Sequence, residues 1–468
     1  MEALKQEKMT PEEFLSFLEG NNQYHILDHY QRLDLDQKRD FLAGLAGLDL
    51  GRAFQLYREF SEEKTFAASP PDIEPAPIIP VPQTPEEKVR RGEIYRFGES
   101  LIQGGQVAVM IVAGGQGTRL GFSGPKGHFP ISPVRNKPLF QLFAEAIRTL
   151  SLRYRAVIPL LIMTSQETQV QTREFFEGNR FFGLEEAQVH FFNQATLPTL
   201  TPQGKLILKD ARRLLTNPDG HGGSLKALYG SGLLQFLKDE GYTELFYCQV
   251  DNPLVKIADP VFLGYHRLEK ADVSTKVVRR QNLEEKVGIY VRAKGRPAVI
   301  EYSDLPLEDY RALDGKGNIL YWAGNIGIHV FSLAFVEALN RQGFALPYHR
   351  AIKDVGGIGP DGREARMTAW KFETFVFDSI PLAEKSFCLE VKREEEFAPV
   401  KNQTGIDSPE TSREAMNRLF RSWLREAGSE VAPGVQVEIS PLFALDKGEF
   451  VDKMKGKRLL IQEDWYLE

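Results

Sequence analysis

The chain has 468 residues, 42% apolar and 26% charged, the balance of a folded globular protein with room for about two to four domains. Lys plus Arg total 58 against 64 Asp plus Glu, a formal charge of −6, so no broad surface for nucleic acid or an anionic membrane is expected. Cys248 and Cys388 are too few for a disulfide framework or a four-thiolate zinc site, and no apolar run reaches the roughly 18 residues of a membrane span. The N-terminus lacks the apolar stretch of a secretory signal, so the expected compartment is the cytoplasm.

The first part of the chain reads as helices. Thr10-Pro11-Glu12-Glu13 combines a hydroxyl cap, a proline at the first helical position and a Glu that closes a capping box. Phe14, Phe17 and Leu18 follow at helical spacing, then Tyr24, Leu27 and Tyr30, then Phe41, Leu45 and Leu48. His25 and His29 lie four apart without an HExxH context, which reads as a helix surface rather than a metal pair. Residues 69–85 contain seven prolines, so an extended linker is expected there. Thr84-Pro85-Glu86-Glu87 repeats the cap chemistry and opens a helix to about Gly104.

From about residue 106 apolar strands alternate with helices. VAVMIV (107–112) is the continuous apolar run of a parallel strand buried on both faces, and 158–165, 189–194 and 244–250 look alike. The alternation predicts an α/β fold with an open, mixed but mostly parallel sheet. Residues 272–304 read as antiparallel strands with a turn at AKGRP. Beyond about 385 a helix near 409–427 and short strands at VQVEIS, LFAL and KRLLIQ suggest a small C-terminal, β-rich domain. The expected division is 1–95, 96–385 and 386–468.

The chemistry concentrates after the first buried strand, in Val112-Ala-Gly-Gly-Gln-Gly-Thr-Arg-Leu-Gly121 and Phe-Ser-Gly-Pro-Lys-Gly127. Ligands bind at the carboxyl ends of strands in open α/β sheets. Gly114, Gly115 and Gly117 let backbone N–H groups approach a phosphate, and Arg119 and Lys126 bring positive charge to the same loop. The dinucleotide fingerprint fails, because Leu120 stands where its last glycine belongs. The P-loop pattern fails because Lys126 lies between Pro125 and Gly127.

GGQGTRLG…PKG resembles the signature of the UDP-sugar pyrophosphorylases, most closely their eukaryotic-type UDP-N-acetylglucosamine branch. The likeness continues in order through Phe191-Phe-Asn-Gln194, Pro218-Asp-Gly-His-Gly-Gly223, Tyr247-Cys-Gln-Val-Asp-Asn252, Lys276-Val-Val278 and Glu301-Tyr-Ser303. It ends with Ala323-Gly-Asn-Ile326, Phe375-Val-Phe-Asp378 and the stretch from Arg393 to Asn402. The resemblance implies a Rossmann-like, GT-A-like nucleotidyltransferase domain that joins a sugar 1-phosphate to UTP and releases pyrophosphate. Sugar phosphate is a competent nucleophile at neutral pH, so such an enzyme needs charge neutralisation and alignment rather than a general base.

By that resemblance, Ala113, Gly114, Gly115 and Gly117 lie along the nucleotide, while Arg119 and Lys126 hold the triphosphate. Gln194 with Gly220, His221 and Gly222 forms the uracil pocket, His221 standing where Asn is expected. Asp251 holds Mg2+, or Mn2+ in its place. Gly288, Glu301 and Asn325 read the sugar, and Phe375 and Phe377, alternating on one strand, lie beside the acetyl group. Lys371 and Lys401 reach the phosphates. The implied partners are UTP and N-acetyl-α-D-glucosamine 1-phosphate, with no nucleic acid or membrane, and monomer or dimer left open. Glucose, galactose or N-acetylgalactosamine 1-phosphate are the alternative sugars; the glycine loop with Gln116, and AGNI, favour the N-acetylhexosamine branch. A glycosyltransferase commonly presents Asp-x-Asp, which Asp251-Asn252-Pro253 does not. A non-catalytic nucleotide-sugar sensor fits less well, because Arg119, Lys126 and Asp251 are all present.

Overall fold

The computed structural model describes residues 10–45, 48–62 and 72–468; positions 1–9, on which the reading of no secretory signal rests, and 69–71 of the proline-rich stretch lie outside the described residues. The chain divides into two compact units. The first is Met1–Ser69, Gln194–Gly232 and Gln342–Asp378; the second is Pro70–Asn193, Leu233–Arg341 and Ser379–Glu468. These bounds do not coincide with the divisions expected near 95 and 385, because the polypeptide leaves and re-enters each unit.

The second unit is built on one ten-stranded sheet. Its strands are β1 (Ile73–Pro75), β2 (Val107–Val112), β3 (Leu160–Thr164), β4 (Val189–Asn193) and β5 (Glu244–Gln249), then β6 (Val273–Arg279), β7 (Ile289–Ala293), β8 (Arg296–Ile300), β9 (Ala323–Ser332) and β10 (Ser386–Glu390). The main path runs β1-β7-β9-β5-β2-β3-β4, with β8 beside β7 and β6 between β9 and β10. Strands β5, β2, β3 and β4 are parallel, as their unbroken apolar runs require. Strand β9 turns the pattern antiparallel against β5 and β6. The β7–β8 hairpin closes through Lys294-Gly295, the turn expected at AKGRP. The proline-rich segment supplies β1, an edge strand where missing N–H groups cost nothing to the ladder.

The C-terminal residues share the apolar core of this sheet: Phe420, Trp423, Leu424, Val437 and Phe450 join Ile111, Phe143 and Ile162. Helix Pro409–Glu426 stands as expected, with Val437–Ile439 and Leu460–Ile461 each in a two-stranded parallel pair. LFAL (442–445) is a turn rather than a strand. Asp446 caps the following helix, Lys447–Lys453, by accepting from the Glu449 N–H, and that fixes the chain direction there. Cys248 and Cys388 are buried free thiols, and burial raises both thiol pKa values. No helix among the described residues is long and apolar enough to cross a membrane.

The first unit packs four helices, Pro11–Gly20, Tyr24–Arg32, Leu35–Gly44 and Leu50–Glu62, against short strands. The Thr10 and Glu13 capping box is formed as expected. Phe14, Leu18, Phe41 and Leu50 bury their side chains with Leu197, Leu200, Leu208 and Phe372. The long hairpin His349–Ile358 and Glu364–Glu373 joins Leu208–Asp210 and Arg213–Leu214 in one sheet. His25 and His29 bond the carbonyls of Leu206 and Ala211, each at 2.8 Å, so both rings are structural.

Helix Pro85–Gln103 crosses helix Pro260–Leu268 at van der Waals limits. A Cβ on Gly98 would lie 1.7 Å from the Pro260 carbonyl oxygen, which is backbone and cannot give way. Gly98→Ala is expected to cost at least the roughly 1–3 kcal/mol of an overpacked core, read as a lower urea midpoint. An unchanged midpoint would contradict the close crossing.

Candidate functional site

In the second unit, β2 and β5 pair in parallel with Val112 opposite Gln249. The loop after β2 and the Asp251 turn after β5 therefore leave the sheet side by side. Ala113 N–H donates to Met163 O at 2.9 Å, and Val250 N–H donates to Val112 O at 3.1 Å. The glycine loop then folds back on itself: Gly117 N–H donates to Gly124 O at 2.8 Å and Lys126 N–H to Gly115 O at 3.0 Å. Gly114 is half-buried and Gly115 exposed, with open space where its Cβ would stand. Arg119 is exposed on the short 3-10 turn Thr118–Leu120.

The loop's return leg brings Lys126 to Asp251, with Nζ 3.7 Å from Oδ2. Asp251 is 9% exposed. Its carbonyl accepts from Val400 N–H at 2.8 Å, while Asn252 donates to Glu396 O and accepts from Ala398 N–H at 2.7 and 3.0 Å. This stitching sets Lys401 one residue from the strand end that carries Asp251. Lys401 pairs with Asp407 at 3.6 Å. Burial raises the Asp407 carboxyl pKa, Lys401 opposes that shift, and the Asp251 charge adds to it. Lys126, Asp251, Lys401 and Asp407 thus form one charged group. Among the described residues no three His, Cys, Asp or Glu cluster as a metal cage. A single carboxylate fits Mg2+ of the kind held by one or two carboxylates plus substrate phosphates.

Gly288, Glu301 and Asn325 also come together. Asn325 N–H donates to Gly288 O at 2.8 Å, and a Cβ on Gly288 would lie 3.0 Å from Glu301 Oε1. Asn325 Oδ1 accepts from Gly327 N–H at 3.1 Å, which orients the amide.

The first unit gathers Gln194, Gly220, His221, Gly222, Phe375 and Phe377. Thr374 N–H donates to Asp219 O at 2.7 Å and Gly222 N–H to Thr374 O at 2.9 Å, fastening the 219–222 loop to the segment after strand Glu364–Glu373. Gly220 is needed there: its φ is +87° and a Cβ would lie 2.2 Å from Thr374 O. Gln194 Nε2 donates to Gly220 O at 2.5 Å, which leaves its amide oxygen as the acceptor end. His221 Nδ1 accepts from Val376 N–H at 3.1 Å, so a neutral ring carries its proton on Nε2. The His221 ring stacks on Phe375 at 5.4 Å, and Phe375 stacks on Phe377 at 5.2 Å.

The two phenylalanines do not alternate on a strand. The strand ends at Glu373, and Phe377 lies in the 3-10 helix Val376–Leu382. Their rings meet through the turn rather than through a pleat. Lys371 sits on the strand itself, opposite Ala351. His349, outside every motif named above, meets Phe375 in a tilted contact at 4.6 Å and bonds Asp378 at 2.8 Å. Asp219 lies inside one of those motifs and Asp407 outside them, and no local signal in the sequence marks the burial of either.

Burial lifts the Asp219 carboxyl from the ordinary 3.8 to about 6, against the Gln194 amide and the Lys226 charge. The folded state holds this proton up to about pH 6, whereas the unfolded chain releases it near 4. The neutral form's stability is present below pH 4 and lost as pH rises through 6. At most about 3 kcal/mol is involved, two pKa units at about 1.4 kcal/mol each. Asp219→Asn should therefore gain on the parent by up to that amount between pH 4 and 7, measured by urea unfolding. An equal difference at both pH values would contradict the burial account.

The sequence profile of the UTP–glucose-1-phosphate uridylyltransferase (UDPGP) family matches residues 52–447. The chain is 38% identical over 399 residues to the UDP-N-acetylglucosamine pyrophosphorylase of Saccharomyces cerevisiae, covering 81% of this chain and 83% of that one. It is 32% identical to a probable UDP-N-acetylglucosamine pyrophosphorylase of Schizosaccharomyces pombe, over 95% and 97% of the two chains. Its fold is similar to the crystal structure of the Trypanosoma brucei uridine diphosphate N-acetylglucosamine pyrophosphorylase in complex with inhibitor, at a TM-score of 0.80 and 28% identity over 96% and 98% of the chains. The α/β architecture is therefore that of the UDP-sugar pyrophosphorylases, and the chain belongs to the UTP–glucose-1-phosphate uridylyltransferase family.

Proposed function

We propose that the protein joins UTP and N-acetyl-α-D-glucosamine 1-phosphate to give UDP-N-acetylglucosamine and pyrophosphate. Family membership supports the uridylyltransferase reaction, and relatives matched over most of their length carry the N-acetylglucosamine name. The observation that carries the reading is Lys126 beside Asp251 at the carboxyl ends of adjacent parallel strands. That pairing suits an acceptor of polyanionic substrates with a phosphate-bound cation.

A phosphate oxygen of the sugar 1-phosphate attacks the α-phosphorus of UTP, and the bond from that phosphorus to the bridging oxygen of pyrophosphate breaks. No proton has to be removed from the nucleophile. The backbone of 113–117 lies along the phosphates. Lys126 and Arg119 stabilise charge growing on the leaving group, Arg as a fork and Lys as a point charge. Asp251 would hold Mg2+, or Mn2+, which when bound neutralises phosphate charge. Lys371 and Lys401 add positive charge toward phosphate. Gln194 offers its amide oxygen to a uracil N–H, with Gly220, His221 and Gly222 beside it. Glu301 accepts from sugar hydroxyls, Asn325 and Gly288 line the sugar, and Phe375 and Phe377 offer an apolar face to an acetyl methyl. The cytoplasm remains part of this proposal.

Lys126→Ala should keep the fold and lose roughly 10²–10³ in turnover, the cost of removing one transition-state donor. Near-normal turnover would take Lys126 out of the chemistry. Asp251→Asn should raise the Mg2+ concentration needed for half-maximal rate; an unchanged titration would remove Asp251 as the metal ligand. Pyrophosphate release across a panel of sugar 1-phosphates should be fastest with N-acetylglucosamine 1-phosphate. Preference for glucose or galactose 1-phosphate would keep the chemistry and overturn the sugar.

A further inference from the structure

The segment 280–288 connects β6 to β7 and ends on Gly288. It is neither helix nor strand, so no ladder fixes its backbone. Two buried side chains brace it from the inside, and Glu285 also pairs with Arg393. Arg280 is 5% exposed. One of its guanidinium nitrogens donates to the Tyr310 and Tyr321 carbonyls at 2.9 and 3.2 Å, and the other to Leu283 O at 3.1 Å. The guanidinium carbon lies 3.8 Å from the centre of the Tyr310 ring, where cation–π attraction adds to those bonds.

Tyr310 is 4% exposed and meets the segment with its hydroxyl. The oxygen accepts from Val287 N–H at 3.3 Å, and the proton is in reach of Val287 O at 2.9 Å and of Glu285 O. A hydroxyl has one proton, so it serves one of the two carbonyls at a time. One side-chain atom thus answers backbone groups that no ladder satisfies. The ring packs in the apolar cluster of Ile289, Val291, Leu305 and Tyr321. A phenylalanine would fill that cluster equally well, so packing accounts for the ring and leaves the hydroxyl to the segment.

Gly288 follows Val287 and is coupled to the other two sugar residues. Its carbonyl accepts from Asn325 N–H at 2.8 Å, and a Cβ on it would lie 2.9 Å from Val299 Cγ1 and 3.0 Å from Glu301 Oε1. With so little clearance, a shift of Val287 displaces Gly288 against Glu301 and strains its bond to Asn325. We propose that Tyr310 is a positioning residue for the sugar: its hydroxyl, braced by Arg280, sets Val287 and Gly288 so that Gly288, Glu301 and Asn325 present one surface to the hexosamine. This rests on the uridylyltransferase reading and deepens it.

UDP and UDP-N-acetylglucosamine share a nucleotide and differ in the sugar, so the ratio of their dissociation constants isolates sugar binding. Both are titrated by calorimetry against the full chain and against Tyr310→Phe, which keeps the ring and removes the hydroxyl. The variant should bind UDP-N-acetylglucosamine at least fivefold more weakly and UDP within twofold of the parent. Its KM for the sugar 1-phosphate should rise by a similar factor with the UTP KM unchanged, the mark of lost substrate binding. Tyr242→Phe is the control; its hydroxyl bonds Val157 O at 3.2 Å beside the start of β5, and both dissociation constants should stay at the parent values. Equal weakening of the two nucleotides, no weakening of either, or the same selective loss in Tyr242→Phe would overturn the proposal. Circular dichroism and melting temperature show that each variant is folded. Should Tyr310→Phe fail that check, Arg280→Lys, which keeps the charge and removes the fork, must show the selective loss in its place. A parent that binds both nucleotides but turns over no sugar 1-phosphate would overturn the function reading, while the ratio still decides the part of Tyr310. A parent that binds neither would overturn both.

Discussion

The parallel register of β2 and β5 is the constraint on which the second unit's chemistry depends. Both strands are buried along nearly their whole length, so each backbone N–H and C=O must be paired within the sheet. Pairing Val112 with Gln249 ends the two strands together. One strand runs on into the glycine loop and the other into Asp251. A slip of one residue would send every apolar side chain to the opposite face and part Lys126 from Asp251. The core that buries these strands therefore also positions the charges.

A buried ion network holds the neighbouring segments. Lys276 on β6 is fully buried and bonds Asp259 at 2.7 Å and Glu396 at 2.6 Å. Desolvating three charges is expensive, and the close hydrogen-bonded geometry offsets that cost. Removing one partner from such a buried group costs about 3–5 kcal/mol, because a charge is left uncompensated. The network joins the turn after Asp251 to the segment that leads to Lys401, the same two segments that Asn252 stitches through Glu396 and Ala398.

In the first unit the N-terminal helices have a definite task. Their apolar faces cover the strands that lead from Gln194 and into the Phe375 turn, with Phe14, Phe41 and Leu50 packing on Leu197, Leu208 and Phe372. Without that cover those strands would expose one face. The 219–222 loop is held by backbone bonds to Thr374, so His221 and the two phenylalanines keep their stacked order without a strand pleat.

Much of this was legible in the sequence. VAVMIV announced a buried parallel strand because a strand covered on both faces has no polar side to show, and TPEE announced two helix starts because capping is local chemistry. The glycines, Arg119 and Lys126 stood together in the sequence as the proposed phosphate loop, because phosphate recognition needs such groups within a few residues of one another. The tertiary structure alone decided which distant segments meet. It set Lys126 against Asp251, tied Lys401 to the same strand end, and formed the first unit from three separate stretches. It turned LFAL into the approach to a capped helix and moved Phe375 and Phe377 off the expected strand. It also buried Asp219. Propensity and periodicity act over a few residues, whereas burial and charge pairing depend on contacts between segments far apart in the chain, and those exist only once the core has closed.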